Sequence, residues 1–166
     1  MKLKLYLDFD GVILDTINKS YQMLQEEGIT GEENVRNFYS NICWKTLIKE
    51  SGQIDNSIEK IKKLTKYFDI EILTHVNSEN EVKVKKEFFT KELPNVNVIT
   101  VPKVINKADF VNPKGAILVD DYTKNLDYWE EKGGIPIKFA EDTELCPHKV
   151  ITDLLELLEL DIKVKE

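Results

Sequence analysis

The chain has 166 residues, 42% of them hydrophobic and 32% charged, with two cysteines and 23 basic against 30 acidic side chains for a net charge of −7. A chain of this size buries roughly 70% of the surface its unfolded form exposes, so it needs no disulfide framework or structural metal to fold. The acidic balance, with lysine supplying every basic residue except Arg36, argues against a partner such as a nucleic-acid polymer.

Cys43 and Cys146 stand far apart in no CxxC or Cys/His cluster, and Met1-Lys2-Leu3 leads into no long apolar run. The expectation is a reduced, cytoplasmic protein without signal peptide or membrane span.

Leu3 to Phe9 is a short apolar run of strand length. From Asp15 to about Asp55 the pattern is helical, with Ile17, Tyr21 and Leu24 ahead of Gly28, then Phe38-Tyr39, then Trp44, Leu47 and Ile48 ahead of Gly52. Asp15-Thr16 reads as the N-cap of its first helix. Because this stretch follows the first strand directly, residues 15–55 are expected to form a small helical cap above the strand ends, with residues 1–14 and 56–166 as the core.

Further on, helices and strands alternate. Asp55-Asn56-Ser57 opens a helix carrying Ile58, Ile61, Leu64 and Phe68, and Ile70 to Leu73 is the second strand. Ser78 with Glu81 three residues on is a capping-box pattern, starting a helix with Val82, Phe89 and Leu93 on one side and Pro94 as its stop. Val96 to Val101, Ala116 to Val119 and Ile135 to Phe139 are three more strands, and a helix after Thr123 turns Leu126 and Trp129 inward before Gly133-Gly134. Ile151 to Leu160 reads as a packed terminal helix, and homodimerisation through it stays open. Strands alternating with helices predict an α/β fold: a parallel sheet covered on both faces, with its site at the carboxyl ends of the strands.

Chemistry-bearing residues collect at those ends. Asp8 and Asp10 lie two apart, so they point to one side of a strand terminus, and Gly11 frees the chain to turn. Asp-x-Asp-Gly is also an ordinary turn, Thr74 alone an ordinary strand-end threonine, and any one lysine by default a solvated surface residue. Asp120 and Asp121 are adjacent carboxylates that repel unless they share a cation. Lys107 heads a short helix start, Asn106 to Asp109, well placed to reach the strand ends.

Taken in chain order, Asp8-Phe9-Asp10-Gly11-Val12, Leu73-Thr74, Lys107 and Leu118-Val119-Asp120-Asp121 resemble the four motifs of the haloacid dehalogenase (HAD) superfamily. The resemblance covers residues 3 to about 139, and its first and fourth motifs are the specific ones. It implies a three-layer Rossmann-like sheet in strand order 5-4-1-2-3 with a small type-1 cap. It also implies phosphoryl transfer through an aspartyl-phosphate on Asp8, with Asp10 as acid and base, Thr74 and Lys107 on the transferring oxygens, and Mg²⁺ held by Asp8, Asp10, Asp120 and Asp121. Which of the last two touches the ion directly stays open. An acid at the Asp10 position goes with phosphatases and phosphomutases of that superfamily rather than with its dehalogenases.

The Asp120-Asp121-Tyr122-Thr123-Lys124-Asn125 turn and the compact cap resemble the 5'(3')-deoxyribonucleotidase branch. That resemblance implies a nucleoside monophosphate as substrate, with Phe38, Tyr39 and Trp44 receiving the base. The plainer reading of those rings is that they form the cap's own core. His75 is expected to line the site; with only His148 besides, a zinc cluster is implausible. The alternatives are a sugar-phosphate phosphatase or phosphomutase and, from another class, a non-catalytic binding module on the same fold. Lys2 is expected to project from the far end of the sheet, and Lys4 finds no account in the sequence.

Overall fold

A computed structural model describes residues 1–143 and 145–162. The first strand, β1 (Leu3–Leu7), is followed by three helices, α1 (Thr16–Glu26), α2 (Glu32–Ser40) and α3 (Trp44–Glu50), and then by α4 (Ser57–Leu64). Next come β2 (Phe68–Val76), α5 (Glu79–Glu92), β3 (Asn97–Pro102), α6 (Lys107–Phe110), β4 (Ile117–Asp120), α7 (Thr123–Glu131) and β5 (Ile135–Phe139). A short β6 (Lys149–Ile151) and a 3-10 helix (Leu154–Glu159) finish the described chain.

The strands form one six-stranded sheet in the order β3-β2-β1-β4-β5-β6, every neighbouring pair parallel. The expected order of the first five is therefore observed, and β6 extends it beyond β5. In the central strand Leu5 and Leu7 face the cluster built with α4, α5 and the 3-10 helix, while Tyr6 faces the cluster of α6 and α7, where its ring meets Trp129 edge-on. This period-two alternation makes the three layers.

Lys2 and Lys4 lie at the amino end of the sheet, away from the site. The Lys2 ammonium donates to the Thr65 carbonyl, and Lys4 pairs with Asp69 and Glu71 on the neighbouring strand. Lys4 is thus a cross-strand ion pair at the sheet's end.

Three local readings change. Phe68 begins β2 rather than continuing α4. The buried face of α5 is Glu81, Lys85 and Phe89, whereas Val82 is half-buried. The expected terminal helix is instead β6 and a 3-10 helix. Leu154 and Leu157 recur at three residues, the 3-10 period, and are buried, while Leu158 is exposed.

Among residues 15–55, α1 buries Thr16, Ser20 and Leu24 rather than an Ile17-Tyr21 stripe, and α2 buries none of its residues. Chain entry and exit of this segment lie side by side: Asp15 N–H donates to the Gly52 carbonyl at 3.0 Å and Ile54 N–H to that of Ile13 at 3.0 Å. Among the described residues no helix is long and apolar enough to cross a membrane.

Candidate active site

The loop after β1 winds tightly around one carbonyl: Phe9 accepts from the N–H groups of Val12, Ile13 and Leu14. Asp8 N–H, still in the ladder, donates to the Val119 carbonyl at 2.9 Å, so β4 fixes where Asp8 leaves the sheet. Gly11 turns the chain at φ +81°, and a Cβ there would overlap the Asp121 carboxylate. Glycine here serves both the turn and the close approach of β4's acidic end.

Asp8, Asp120 and Asp121 bring a carboxylate oxygen each within 4.8 Å of one another. The Lys107 ammonium sits between two of them, 2.8 Å from Asp8 Oδ1 and 2.7 Å from Asp120 Oδ2. Asp120 also accepts from Tyr122 N–H on Oδ1 and from the Asn125 amide on Oδ2, so both of its oxygens are engaged.

Burial pushes the Asp8 carboxyl well above the ordinary range, and the Asp120 charge adds to that. Burial also acts on Asp120, but the Lys107 charge and the donors around it outweigh burial and hold it below the ordinary value. The Lys107 ammonium is raised despite its burial, by the two carboxylates it joins. Asp121 is pushed up to about 7, first by burial and then by the Asp120 charge.

Three clustered carboxylates, with the Lys107 ammonium between two of them and the Lys138 ammonium on the Asp121 main-chain carbonyl, still leave surplus negative charge in a largely buried place. Hard oxygen donors with surplus charge fit a divalent cation of the magnesium kind. Asp120 already accepts three donors, from Lys107, Asn125 and Tyr122, whereas Asp8 accepts from Lys107; all three carboxylates lie close enough together to share one ion.

Asp10 is not in that cluster. Its Oδ1 accepts from the Thr16 hydroxyl at 2.6 Å and its Oδ2 from the Lys85 ammonium at 2.8 Å. Each carboxyl oxygen thus takes one donor, from α1 and from α5, while the side chain stays partly exposed to the space above the strand ends. Thr16 takes this place instead of capping α1, and the Asp15 side chain makes no capping bond either.

A cleft of about 1040 Å³ opens above the strand ends, lined by Asp8, Asp10, Lys107, Asp120 and Asp121 on the sheet side. Tyr39, Trp44 and Arg36 come from the helices after β1, and His75, Asn77 and Lys103 from the ends of β2 and β3. The His75 ring donates from Nε2 to the Ile105 carbonyl at 2.8 Å, and burial lowers its pKa.

Two expected contributors are absent from this lining. Thr74 is fully buried, and its hydroxyl faces α5, where it accepts from Lys85 at 2.9 Å. The alternation of β2 explains this: His75 points to the cleft, so its neighbour points beneath it. Phe38 packs edge-on against Tyr39 and lines a separate hollow with Met23 and Ile29. Trp44 lines the cleft, but its ring is also 4.7 Å from the Lys85 ammonium.

Lys85 is the residue the sequence reading missed. Its only signal is Glu81 four residues before it and Phe89 four after, which places two charges on the buried stripe of a helix. Asn125 and the Tyr122 N–H, the other unforeseen parts, belong to the turn after β4 and act by holding Asp120.

No protein-family model matches the sequence, and no curated protein is significantly similar to it. Solved structures do match in fold. The HAD-hydrolase YfnB from Bacillus subtilis, solved bound to magnesium, superposes with a TM-score of 0.65 at 15% identity over 98% of this chain and 100% of its own. D,D-heptose 1,7-bisphosphate phosphatase from Burkholderia thailandensis gives 0.58 at 14% identity over 96% and 100%. A dehalogenase solved with an intermediate complex gives 0.64 at 12% identity over 95% and 96%. What the chain shares with these proteins is the parallel-sheet fold of the HAD-superfamily hydrolases, on which both phosphatases and dehalogenases are built.

Proposed function

We propose that the chain is a Mg²⁺-dependent phosphomonoester hydrolase working through an aspartyl-phosphate on Asp8. The observation that carries this reading is the Asp8–Lys107–Asp120 arrangement opening into the same cleft as Asp10, with Asp121 beside it. A carboxylate nucleophile divides one hard displacement into two easier ones.

In the first step an Asp8 oxygen forms a bond to phosphorus as the ester bond breaks, and Asp10 gives a proton to the departing alkoxide oxygen. In the second, Asp10 takes a proton from water as its oxygen attacks phosphorus. The bond to Asp8 breaks, inorganic phosphate leaves and the Asp8 carboxylate is restored. Lys107 stands where negative charge develops. A Mg²⁺ ion held by Asp8, Asp121 and the Asp10 carbonyl would supply charge neutralisation between the anionic nucleophile and the anionic phosphate. Thr74, held beneath the cleft by Lys85, is left out of the oxygen contacts.

An acid at position 10 favours phosphate esters over haloacids. For the alcohol part we propose a nucleoside monophosphate, its base resting on Tyr39 and Trp44, with His75 beside the phosphate. Phe38 supports Tyr39 from behind. A second reading, a sugar phosphate, is favoured by the polar side of the cleft, where Ser40, Asn41, Asn77 and Asn80 offer hydroxyl and amide groups suited to a polyol.

The test is phosphate release from nucleoside 5'- and 3'-monophosphates, sugar phosphates and an aryl phosphate, each with Mg²⁺ and with chelator, for wild type and Asp10→Asn. Selective turnover of nucleotides supports the first reading and of sugar phosphates the second. No metal-dependent turnover of any ester would overturn the hydrolase reading.

A further inference from the structure

Behind the cleft lies a charged cluster that Asp8, Lys107, Asp120 and Asp121 do not account for. Lys85 is completely buried, and four acceptors surround its ammonium: Asp10 Oδ2 at 2.8 Å, Glu81 Oε2 at 2.7 Å, Thr74 Oγ1 at 2.9 Å and the His75 carbonyl at 3.1 Å. An ammonium has three protons, so this site is saturated. Two rings close it off, Trp44 at 4.7 Å and Phe9 at 5.2 Å.

A buried ion pair such as Glu81–Lys85 is weak as a stabilising device, because desolvation consumes much of the attraction. Apolar residues at positions 81 and 85 together would fill this helix face at less cost. What the ammonium adds is a fixed bond to Asp10.

We propose that Lys85, together with Thr16, is a clamp that orients the Asp10 carboxyl for proton transfer to the leaving oxygen; this rests on the hydrolase reading above. Thr16 holds Oδ1 from α1 and Lys85 holds Oδ2 from α5, so the carboxyl plane is set from both sides. Glu81 and Thr74 keep the ammonium in place. Lys85 is a positioning residue: it acts through Asp10 and does not line the cleft. Thr74 is thereby assigned to the clamp rather than to the substrate.

The proposal separates two kinds of ester. Benzyl phosphate has a poor alkoxide leaving group that needs a proton, whereas p-nitrophenyl phosphate releases a stable phenolate that does not. For each, kcat/KM reads the steps up to transfer onto Asp8. Lys85→Met is compared with the pair Lys85→Met/Glu81→Gln, which removes the buried cation and its buried counter-ion together and so spares the fold an unpaired charge. Thr16→Val reads the clamp from its other side without burying a charge.

In folded variants, kcat/KM for benzyl phosphate should fall by about 100-fold, the scale of lost general-acid assistance, and that for p-nitrophenyl phosphate by less than about 5-fold. An equal fall for both esters, or none for either, would overturn the clamp. If neither Lys85 variant folds, Thr16→Val alone decides by the same comparison. Wild-type protein inert toward both esters with Mg²⁺ would overturn the hydrolase reading itself, and is seen before any variant is made.

Discussion

Gly11 and Asp121 make one contact that ties backbone geometry to charge. A Cβ at position 11 would need both a positive φ and the space Asp121 occupies. Gly11→Ala is therefore expected to cost more than about 1 kcal/mol of stability in urea unfolding, since alanine resists φ > 0. It should also weaken Mg²⁺ binding by displacing Asp121, a proposed ligand. Asp121 itself carries a pH signature. Its carboxyl is raised to about 7 from an ordinary 3.8. The folded state thus favours its protonated form, and the stability this gives is complete below about 3.8 and lost as pH rises through about 7. Metal-free Asp121→Asn is then expected to be more stable than wild type above pH 7, with the difference closing toward pH 4, and to respond less to Mg²⁺. A metal-free variant no more stable than wild type at pH 8 would contradict the charge repulsion inferred at the site.

At the scale of elements, the terminal segment shows how a short motif replaces a helix. Asp153 caps the 3-10 helix by accepting from Leu155 N–H at 2.8 Å, and Glu156 reaches back to Asp153 N–H. Lys60 of α4 bridges Asp55 and Asp153, tying the segment to the core. Burial would raise Asp153, but the Leu155 N–H and Lys60 outweigh it and lower it below 3.8. A lowered carboxyl contributes stability at neutral pH and loses it as pH falls through its folded value. Asp153→Ala should cost about 1 kcal/mol at pH 7, the usual worth of an N-cap, and progressively less below pH 4 in urea titrations.

The same element shows why part of the fold was hard to read. β6 is three residues long with Lys149 exposed, which leaves no period to detect, and leucines at both three and four residues in 151–160 fit two kinds of helix. β1 to β5 were legible because each joins an apolar run to a turn or helix signal. Lys85 was not, because burial of a lysine follows from tertiary placement of α5 over Asp10 rather than from its own neighbours in sequence. Asp8, Asp120 and Asp121 were legible as a group because strand ends of one parallel sheet converge; the direction of Thr74 depended on the register of a strand that begins at Phe68.

Over the whole molecule, the parallel sheet brings β1, β2 and β4 to end at one edge, where side chains of α1, α2 and α3 also line the cleft. Surplus carboxylate charge gathers there, while Lys2 and Lys4 close the opposite end with their own partners. An ion that binds the folded state alone raises its stability by mass action, about 2.7 kcal/mol at a hundredfold excess over Kd. Mg²⁺ should accordingly raise the melting temperature of wild type, and the rise should vanish in Asp8→Asn/Asp121→Asn. In the proposed reaction phosphorus becomes bonded to Asp8. The most direct test is acid quenching of wild-type protein during turnover of p-nitrophenyl phosphate with Mg²⁺, followed by peptide mass mapping. A phosphoryl group on Asp8 that disappears when substrate is exhausted is the expected result; steady phosphate release with an unmodified Asp8, or with phosphate on another residue, would rule the aspartyl-phosphate out.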